Sequence, residues 1–443
     1  MTDLRQYRIS AGSAAELVGS IEEAVASGAL APGRRLPSVR RLAADVGLSP
    51  ATVAAGLAEL RRRGVVITEP RRGTRIGSGP PIGSLRRPLP VPPGARDLSR
   101  GNPDPALLPD LAGAVRSLEP SVRLYGEPPA LPGLLDLVRE RLGADGIPGE
   151  DLCIAGGALD AIERVLQANL RPGDSVAVEN PGYAALFDLL RALGLTLDPV
   201  AVDDTGMRPA ELRAALARGA SAVVITPRGQ NPTGAALDRA RAEELRHVLA
   251  KFPEALVIED DHLGEVAGTP LHTTVAGRER WAATRSVAKA LGPDLRLAAL
   301  AGDRRTMARV QGRQQCGPGW VSHILQAIVL GLWTDPAVGE QIATAAATYA
   351  GRRERLLACL ASNGVHAHGA SGLNVWVPVG DEAGTVGALM QRGWVLAPGE
   401  PYRLAGCPSA VRITTATLRS DEAKRLASDL ADVLAPAGFS RSG

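Results

Sequence analysis

Lysine is almost missing from this 443-residue chain: Lys251, Lys289 and Lys424 are the whole complement among 50 basic residues. A lysine kept inside the apolar run Val287, Ala288, Ala290, Leu291 asks what an amine does there that a guanidinium does not. Aromatic residues make up only 3%, so the core must be built from alanine, leucine and valine. The four cysteines, Cys153, Cys316, Cys359 and Cys407, are scattered and form no C-x-x-C. That pattern points to reduced, structural thiols in a cytoplasmic chain, and no metal site is expected. No run of about 18 apolar residues occurs, so no membrane span is expected. The opening MTDLRQYRIS lacks the apolar core of a secretory signal, and none is expected.

What is present is the composition of a globular protein, 45% hydrophobic and 22% charged, with room for two or three domains. The net charge of +3 is unevenly spread. Residues 1–78 hold twelve arginines against seven acidic residues, a surplus of five, which leaves the remainder at about −2. A basic N-terminal module on a nearly neutral body suggests contact with a polyanion.

Residues 13–27 place Leu17, Ile21, Ala24 and Val25 on one helical face, with Ser13 as cap and Glu16 at the capping-box spacing. Gly28 and the Pro32-Gly33 turn end that helix. A short helix is expected over Val39–Val46, opened by Pro37-Ser38 and closed by Gly47. A third is expected over about Pro50–Arg63, capped by Ser49 with proline in its first turn. Val65–Thr68 and Thr74–Ile76 alternate around Pro70-Arg71-Arg72-Gly73 as a small hairpin. Three helices and a basic hairpin make a winged helix-turn-helix, whose third helix enters the major groove of double-stranded DNA. The run PGRRLPSVRRLAADVGLSPATV, followed by LRRRGVV and RRGT, resembles the GntR-type winged helix over residues 12–77. The resemblance implies DNA contacts from Arg40 and Thr52, a wing tip at Arg72 and Gly73, and phosphate or capping roles for Ser38 and Ser49. Pro50 and Ala54 stand where that family often carries arginine, which implies weaker or differently placed reading by the third helix.

Residues 78–96, SGPPIGSLRRPLPVPPGAR, hold six prolines and three glycines and are expected to form a semi-rigid linker. From Asp97 short apolar runs alternate with helical segments. The runs are Leu152–Ile154, Ser175–Val178, Ala222–Ile225 and Leu256–Ile258; the helices are Leu159–Ala168, Ala185–Leu193, Pro209–Ala217 and Arg239–Ala250. That alternation is α/β with a mostly parallel sheet, and ligands of such sheets sit at the carboxyl ends of the strands.

Collected at those ends are Gly156 and Gly157 ahead of a helix, suited to a phosphate, and then Tyr183. Asn231 follows in TPRGQNPTG, and Asp260 and His262 in EDDH. Lys289 has Arg296 seven residues on, and Arg412 sits inside a strand-like run near the C-terminus. An amine, a carboxylate, an amide, phosphate donors, an aromatic ring and an isolated arginine are what pyridoxal phosphate needs. A desolvated lysine forms a Schiff base with an aldehyde, and arginine does not. Whether Arg228 and Arg403 meet a ligand or the surface stays open at this point, and Arg352-Arg353-Glu354-Arg355 reads as a solvated helix face.

GNPDP (101–105), YG (125–126), GGALDA (156–161), RPGDSVAVENPGY (171–183), QNPTG (230–234) and S-x-x-K-x-x-x-P-x-x-R (286–296) resemble, in order, the fold-type I aminotransferases of class I and II. Joined to a GntR-type winged helix, this is the layout of the MocR subfamily of bacterial transcription regulators. The resemblance implies a DNA-binding domain at 1–78, a linker at 79–96 and a PLP-dependent transferase-like domain at 97–437. The last would have a large part of about 125–330 and a smaller C-terminal α+β part of about 340–437. The resemblance also implies Lys289 as the residue bonded to pyridoxal 5'-phosphate, with Asp260 facing the pyridine nitrogen. Asn231 would donate to the ring O3′, Tyr183 would stack on the ring, and Gly157, Ala158, Ser286 and Arg296 would hold the phosphate. Tyr125 would reach that phosphate across a homodimer interface, and Arg412 would fork onto the carboxylate of an amino-acid-like ligand. Two positions depart from the pattern. His262 stands where tyrosine is usual, and an imidazole donating to O3′ titrates near neutrality. Ala288 replaces a serine that would add a phosphate hydroxyl.

Two functions follow. One is a PLP-dependent regulator that binds DNA and senses an amine or amino-acid-like effector through external aldimine formation. The other is a working aminotransferase carrying an accessory winged helix. A DNA-binding protein whose large domain only dimerises is a third reading, and it would be colourless. The first is favoured, because a complete, basic winged helix has no role in transamination.

Overall fold

The structure, a computed structural model, describes residues 12–27, 29–31, 33–62, 64–69, 73–77, 89–118 and 123–435. In the N-terminal module, α1 (Ala14–Ala26), α2 (Val39–Val46) and α3 (Pro50–Arg62) precede an antiparallel hairpin of β1 (Val66–Glu69) and β2 (Gly73–Ile76). The helix starts are capped by the hydroxyls the sequence offers: Ser13 accepts from the Glu16 amide, Ser38 from Arg41 and Ser49 from Thr52. Each satisfies an amide that the helix itself leaves without a partner. Gly47 closes α2 at φ 73°, a left-handed conformation that a side chain disfavours. Leu17, Ile21, Leu30, Leu42, Val53, Leu60 and Ile76 form a buried core, each contributing about 1.5–3 kcal/mol. Arg35 bridges to Arg75, so the segment before α2 lies beside β2 as a third segment of the hairpin. The wing-tip residue Arg72 and linker residues 78–88 lie outside the described residues.

The second unit begins with β3 (Arg96–Asp97), α4 (Leu111–Arg116) and α5 (Pro132–Ala144). Alternating elements follow: β4 (Asp151–Ala155), α6 (Ala158–Asn169), β5 (Ser175–Asn180), α7 (Ala184–Ala192), β6 (Thr196–Asp203), β7 (Gly206–Met207) and α8 (Pro209–Ala217). Then come β8 (Ala222–Ile225), α9 (Arg239–Leu249), β9 (Leu256–Asp261), β10 (Trp281–Ser286), β11 (Ala298–Gly302), α10 (Arg304–Gln315), α11 (His323–Thr334) and α12 (Pro336–Ser362). The chain closes with β12 (Asn374–Pro378), α13 (Glu382–Gln391), β13 (Trp394–Val395), β14 (Ala397–Pro398), β15 (Ala410–Thr414) and α14 (Ser420–Leu434).

Eight strands make one sheet in the order β4-β11-β10-β9-β8-β5-β6-β7. The central pairs β5–β8, β8–β9 and β9–β10 are parallel, whereas β11 runs against both β10 and β4. The sheet is therefore mixed, parallel at its centre as expected and antiparallel around β11. β8 and β9 are buried along their whole length, which is why β8 and the first half of β9, Leu256–Ile258, read as continuous apolar runs rather than alternating ones.

A second, three-stranded antiparallel sheet of β12, β15 and β14 packs with α12–α14 around Leu356, Leu360, Val375, Ile413, Leu426 and Leu430. β3 pairs in parallel with β13, so the first strand after the linker joins this C-terminal part. One expectation fails here. Arg353 is only 4% exposed and donates to the Gly372 carbonyl at 2.9 Å, while Arg352 pairs with Asp104 at 2.8 Å. Tyr349, Arg353, Leu356 and Leu360 follow the helical repeat of the buried face of α12, and only Glu354 and Arg355 point outward. Among the described residues no helix is long and apolar enough to cross a membrane.

Candidate cofactor and ligand site

Three acids in a row, Glu259, Asp260 and Asp261, end β9, and all three are buried. Strand alternation sends Glu259 and Asp261 to one face and Asp260 to the other. Glu259 accepts from the Thr273 and Thr274 hydroxyls at 2.8 and 2.7 Å. Asp261 takes the Arg228 guanidinium side-on, both contacts at 2.9 Å, and Arg285 Nε at 2.7 Å. Burial alone would raise the Asp261 pKa, but the two guanidinium groups outweigh it and hold it at about 2. Arg228 is thus buried, its guanidinium spent on Asp261 and the Thr269 carbonyl. Arg403 is likewise committed, to Glu382 at 2.6 Å.

On the opposite face, Asp260 Oδ1 is buried and has no hydrogen-bond partner. Burial, with Asp261 and Glu179 nearby, pushes its pKa up to about 7. Glu179, on β5, accepts from the Thr226 amide and hydroxyl, both at 2.9 Å, and is itself driven by burial to about 7. Across the ladder from Asp260 stands Thr284, whose buried hydroxyl also lacks a partner.

Lys289 lies in the turn after β10, and its Nζ donates to the Gly101 carbonyl at 2.6 Å. Burial, then Arg412 and Arg296, bring its pKa down to about 8. Arg412, in β15, is 4% exposed. It donates to Asn231 Oδ1 at 3.0 Å and to the Ser99 carbonyl, and it lies over the Tyr402 ring at 4.8 Å. All of these partners are neutral, and its Nε is buried without one. A buried guanidinium with no carboxylate is an unbalanced charge that asks for an anion.

Gly157 opens α6 at φ 111°, and a Cβ there would come within 3.0 Å of Arg296 Nη2. The guanidinium of Arg296 therefore rests against the bare backbone ahead of Ala158, the first residue of α6. Ser286 is buried at the end of β10 and accepts from the Ala288 amide at 3.2 Å. Tyr183 is raised in pKa by burial and by Asp260, with Arg412 and Arg296 acting the other way, so it senses the same cluster. His262 does not titrate near neutrality as expected. Burial and the Lys289 charge push it down to about 4, and its Nδ1 is buried without a partner. The imidazole is neutral. Tyr125 is 93% exposed and meets Trp320 edge-on at 5.6 Å, so within one chain it is not brought to the others.

On the N-terminal module, Arg40 is exposed on α2 and makes no ion pair among the described residues, whereas the neighbouring Arg41 pairs with Asp45 at 3.1 Å. Gly73 begins β2, with the Arg35 guanidinium 3.2 Å from where a Cβ would sit.

Residues 13–76 match the bacterial regulatory proteins of the gntR family, and residues 96–430 match the class I and II aminotransferases. The chain is 38% identical over 429 residues to the vitamin B6 salvage pathway transcriptional repressor PtsJ of Salmonella typhimurium strain LT2, covering 96% of this chain and 99% of PtsJ. The chain belongs to the GntR-family regulators of the MocR type. This MocR-type regulator is also 28% identical, over 80% of each chain, to the HTH-type transcriptional regulator TauR of Rhodobacter capsulatus. Its large unit shares its fold with a multiple substrate aminotransferase of Thermococcus profundus, at a TM-score of 0.71 and 20% identity, covering 77% of this chain and 91% of that one. LysN, the alpha-aminoadipate aminotransferase of Thermus thermophilus, aligns at 0.69 and 21%, over 77% and 92% of the two chains. A MocR-type regulator thus carries its DNA-binding module on residues 13–76 and the strand-end cluster on its aminotransferase-like domain.

Proposed function

We propose that this regulator holds pyridoxal 5'-phosphate in its aminotransferase-like domain, and that an amine or amino-acid-like effector captured there changes its binding to DNA. The observation that carries this reading is a buried Asp260 oxygen without a partner in the same cluster as a lysine whose pKa is lowered to about 8. When bound, pyridoxal phosphate supplies an aldehyde that condenses with amines and a ring that withdraws electrons. Lys289 would provide the amine. Asp260 would accept a ring N–H, gaining the hydrogen bond its Oδ1 lacks and the positive neighbour that favours its charged form. The backbone at Gly157 and Ala158, with Ser286 and Arg296, would hold the phosphate at the start of α6. Asn231 and the neutral His262 would flank the ring hydroxyl, with Tyr183 against the ring. Arg412, lacking a counter-ion, would take the effector's carboxylate. Tyr125 would come from the second subunit of a homodimer.

The test is DNA binding by the full chain with and without pyridoxal phosphate, with and without candidate amines, and by Lys289→Ala. The expected result is a change in affinity or footprint that Lys289→Ala abolishes; identical binding in every arm overturns the reading. Steady transamination without specific DNA binding would favour the aminotransferase alternative.

PtsJ, similar over its whole length, supports a second reading in which pyridoxal phosphate is itself the signal and genes of vitamin B6 salvage are the targets. An effect of pyridoxal phosphate alone, to which amines add nothing, separates this from amine sensing.

A further inference from the structure

We propose that α3 reads its operator through the methyl groups of thymine rather than through base-edge hydrogen bonds; this rests on the reading of residues 13–76 as a DNA-binding winged helix. Val53, Leu57 and Leu60 face the core, and a Cβ on Gly56 would lie 3.2 Å from the Leu17 side chain, so that face is closed by α1. The first two turns away from α1 expose Pro50, Ala51, Ala54 and Ala58, none of whose side chains carries a donor or an acceptor, and exposed Arg61 follows only at the far end of the helix. The two hydroxyls at the helix start serve the cap first: Ser49 Oγ and Thr52 Oγ1 are 2.8 Å apart, and Ser49 Oγ also accepts the Thr52 amide at 3.1 Å, which leaves one hydroxyl proton between them for any outside partner. A helix presenting methyls to the major groove meets one apolar feature there, the C5-methyl of thymine. The short alanine side chains also let the helix backbone approach the bases closely. Arg40 on α2, exposed and outside any ion pair among the described residues, is left for polar contact with the DNA.

The experiment uses the full-length protein. Its preferred sequence is selected from a random duplex pool, and each thymine of the selected half-site is then replaced by uracil, which removes only the methyl. Affinity is read by fluorescence anisotropy over a salt series. The expected result is a loss of about fourfold at each thymine that faces α3, the worth of one buried methyl, with the salt slope unchanged. Ala54→Gln, an exposed change to a good helix former, is expected to shift the preferred base at one position from thymine to adenine. Uracil operators that bind as tightly as thymine at every position overturn the proposal while leaving DNA binding intact. A selection that enriches no sequence overturns specific DNA binding, and the proposal with it.

Discussion

Asp260 and Asp261 are consecutive on β9, yet burial pushes Asp260 up to about 7 while Arg228 and Arg285 override burial at Asp261 and hold it at about 2. One step along a strand separates an acid that waits for a partner from an acid that already has two. The two have opposite consequences for stability.

Asp261→Asn removes a carboxylate shared by two buried guanidinium groups and leaves Arg228 with none, Arg285 keeping Asp145 at 2.5 Å, a loss of about 3–5 kcal/mol. Because the folded pKa lies below the unfolded value, the Asp261 contribution is complete above about pH 4 and disappears as pH falls towards 2. Urea unfolding is expected to show a large drop in midpoint at pH 7 and a much smaller difference from wild type near pH 2.5.

Asp260→Asn is expected to do the reverse. The Asp260 pKa is raised on folding, so the cofactor-free protein loses stability as pH rises from about 4 through 7. Removing that charge stabilises the cofactor-free chain at pH 8, by at most about 4 kcal/mol, and weakens retention of pyridoxal phosphate. Thermal melts across pH, and dialysis of the loaded protein followed by absorbance, read the two effects separately.

Lys289, at about 8 rather than 10.5, holds roughly 300-fold more free amine at pH 7 than an unperturbed lysine. Capture of pyridoxal phosphate is therefore expected to accelerate up to about pH 8 and then level off. Borohydride reduction followed by peptide mass analysis should fix the cofactor on Lys289, and Lys289→Ala should yield no such adduct. Arg412→Met removes the larger of the two cationic influences on the amine and should move the plateau to higher pH.

The same Arg412→Met change should discriminate among effectors. Loss of a charge-assisted fork costs about 1.5–3 kcal/mol, so amino acids are expected to bind roughly 10- to 100-fold more weakly. Amines without a carboxylate should bind as before. Calorimetry with matched pairs of amine and amino acid makes the comparison.

Arg40→Ala should weaken DNA binding across sequences and lower the salt slope by about 1 if the guanidinium neutralises a phosphate. A slope that stays the same, with altered preference at one base, would assign Arg40 to a base edge instead.

Much of this is legible in the residues alone. Caps at Ser13, Ser38 and Ser49, and the turn at Gly47, are local chemistry, and the helices begin and end where those residues stand. The order of strand ends brings Asp260, Asn231 and Lys289 forward for a similar reason, since an α/β sheet delivers such positions to one edge, while Arg412 stands out as a charge inside the apolar run of β15. The Arg228–Asp261–Arg285 network is hidden because its members come from three strands or loops and pair only across the sheet. Arginines embedded among apolar residues, as Arg285 is in WAATRS, are the available signal. The Gly101 carbonyl that accepts from Lys289 carries no side-chain signature at all. The neutrality of His262 depends on burial, which residue identity does not reveal. Arg353 escapes a reading that weighs charge ahead of the helical repeat it shares with Tyr349 and Leu356.

The pairing of β3 with β13 sets an order of events during synthesis. Arg96 donates its amide to Gly393, and its side chain pairs with Glu422 at 2.8 Å. These partners are made some 300 residues later than Arg96 itself. Among the described residues the core of the winged helix is drawn from residues 17–76, all made long before. A ribosome stalled midway through the message would therefore display a DNA-reading head with no sensor to govern it.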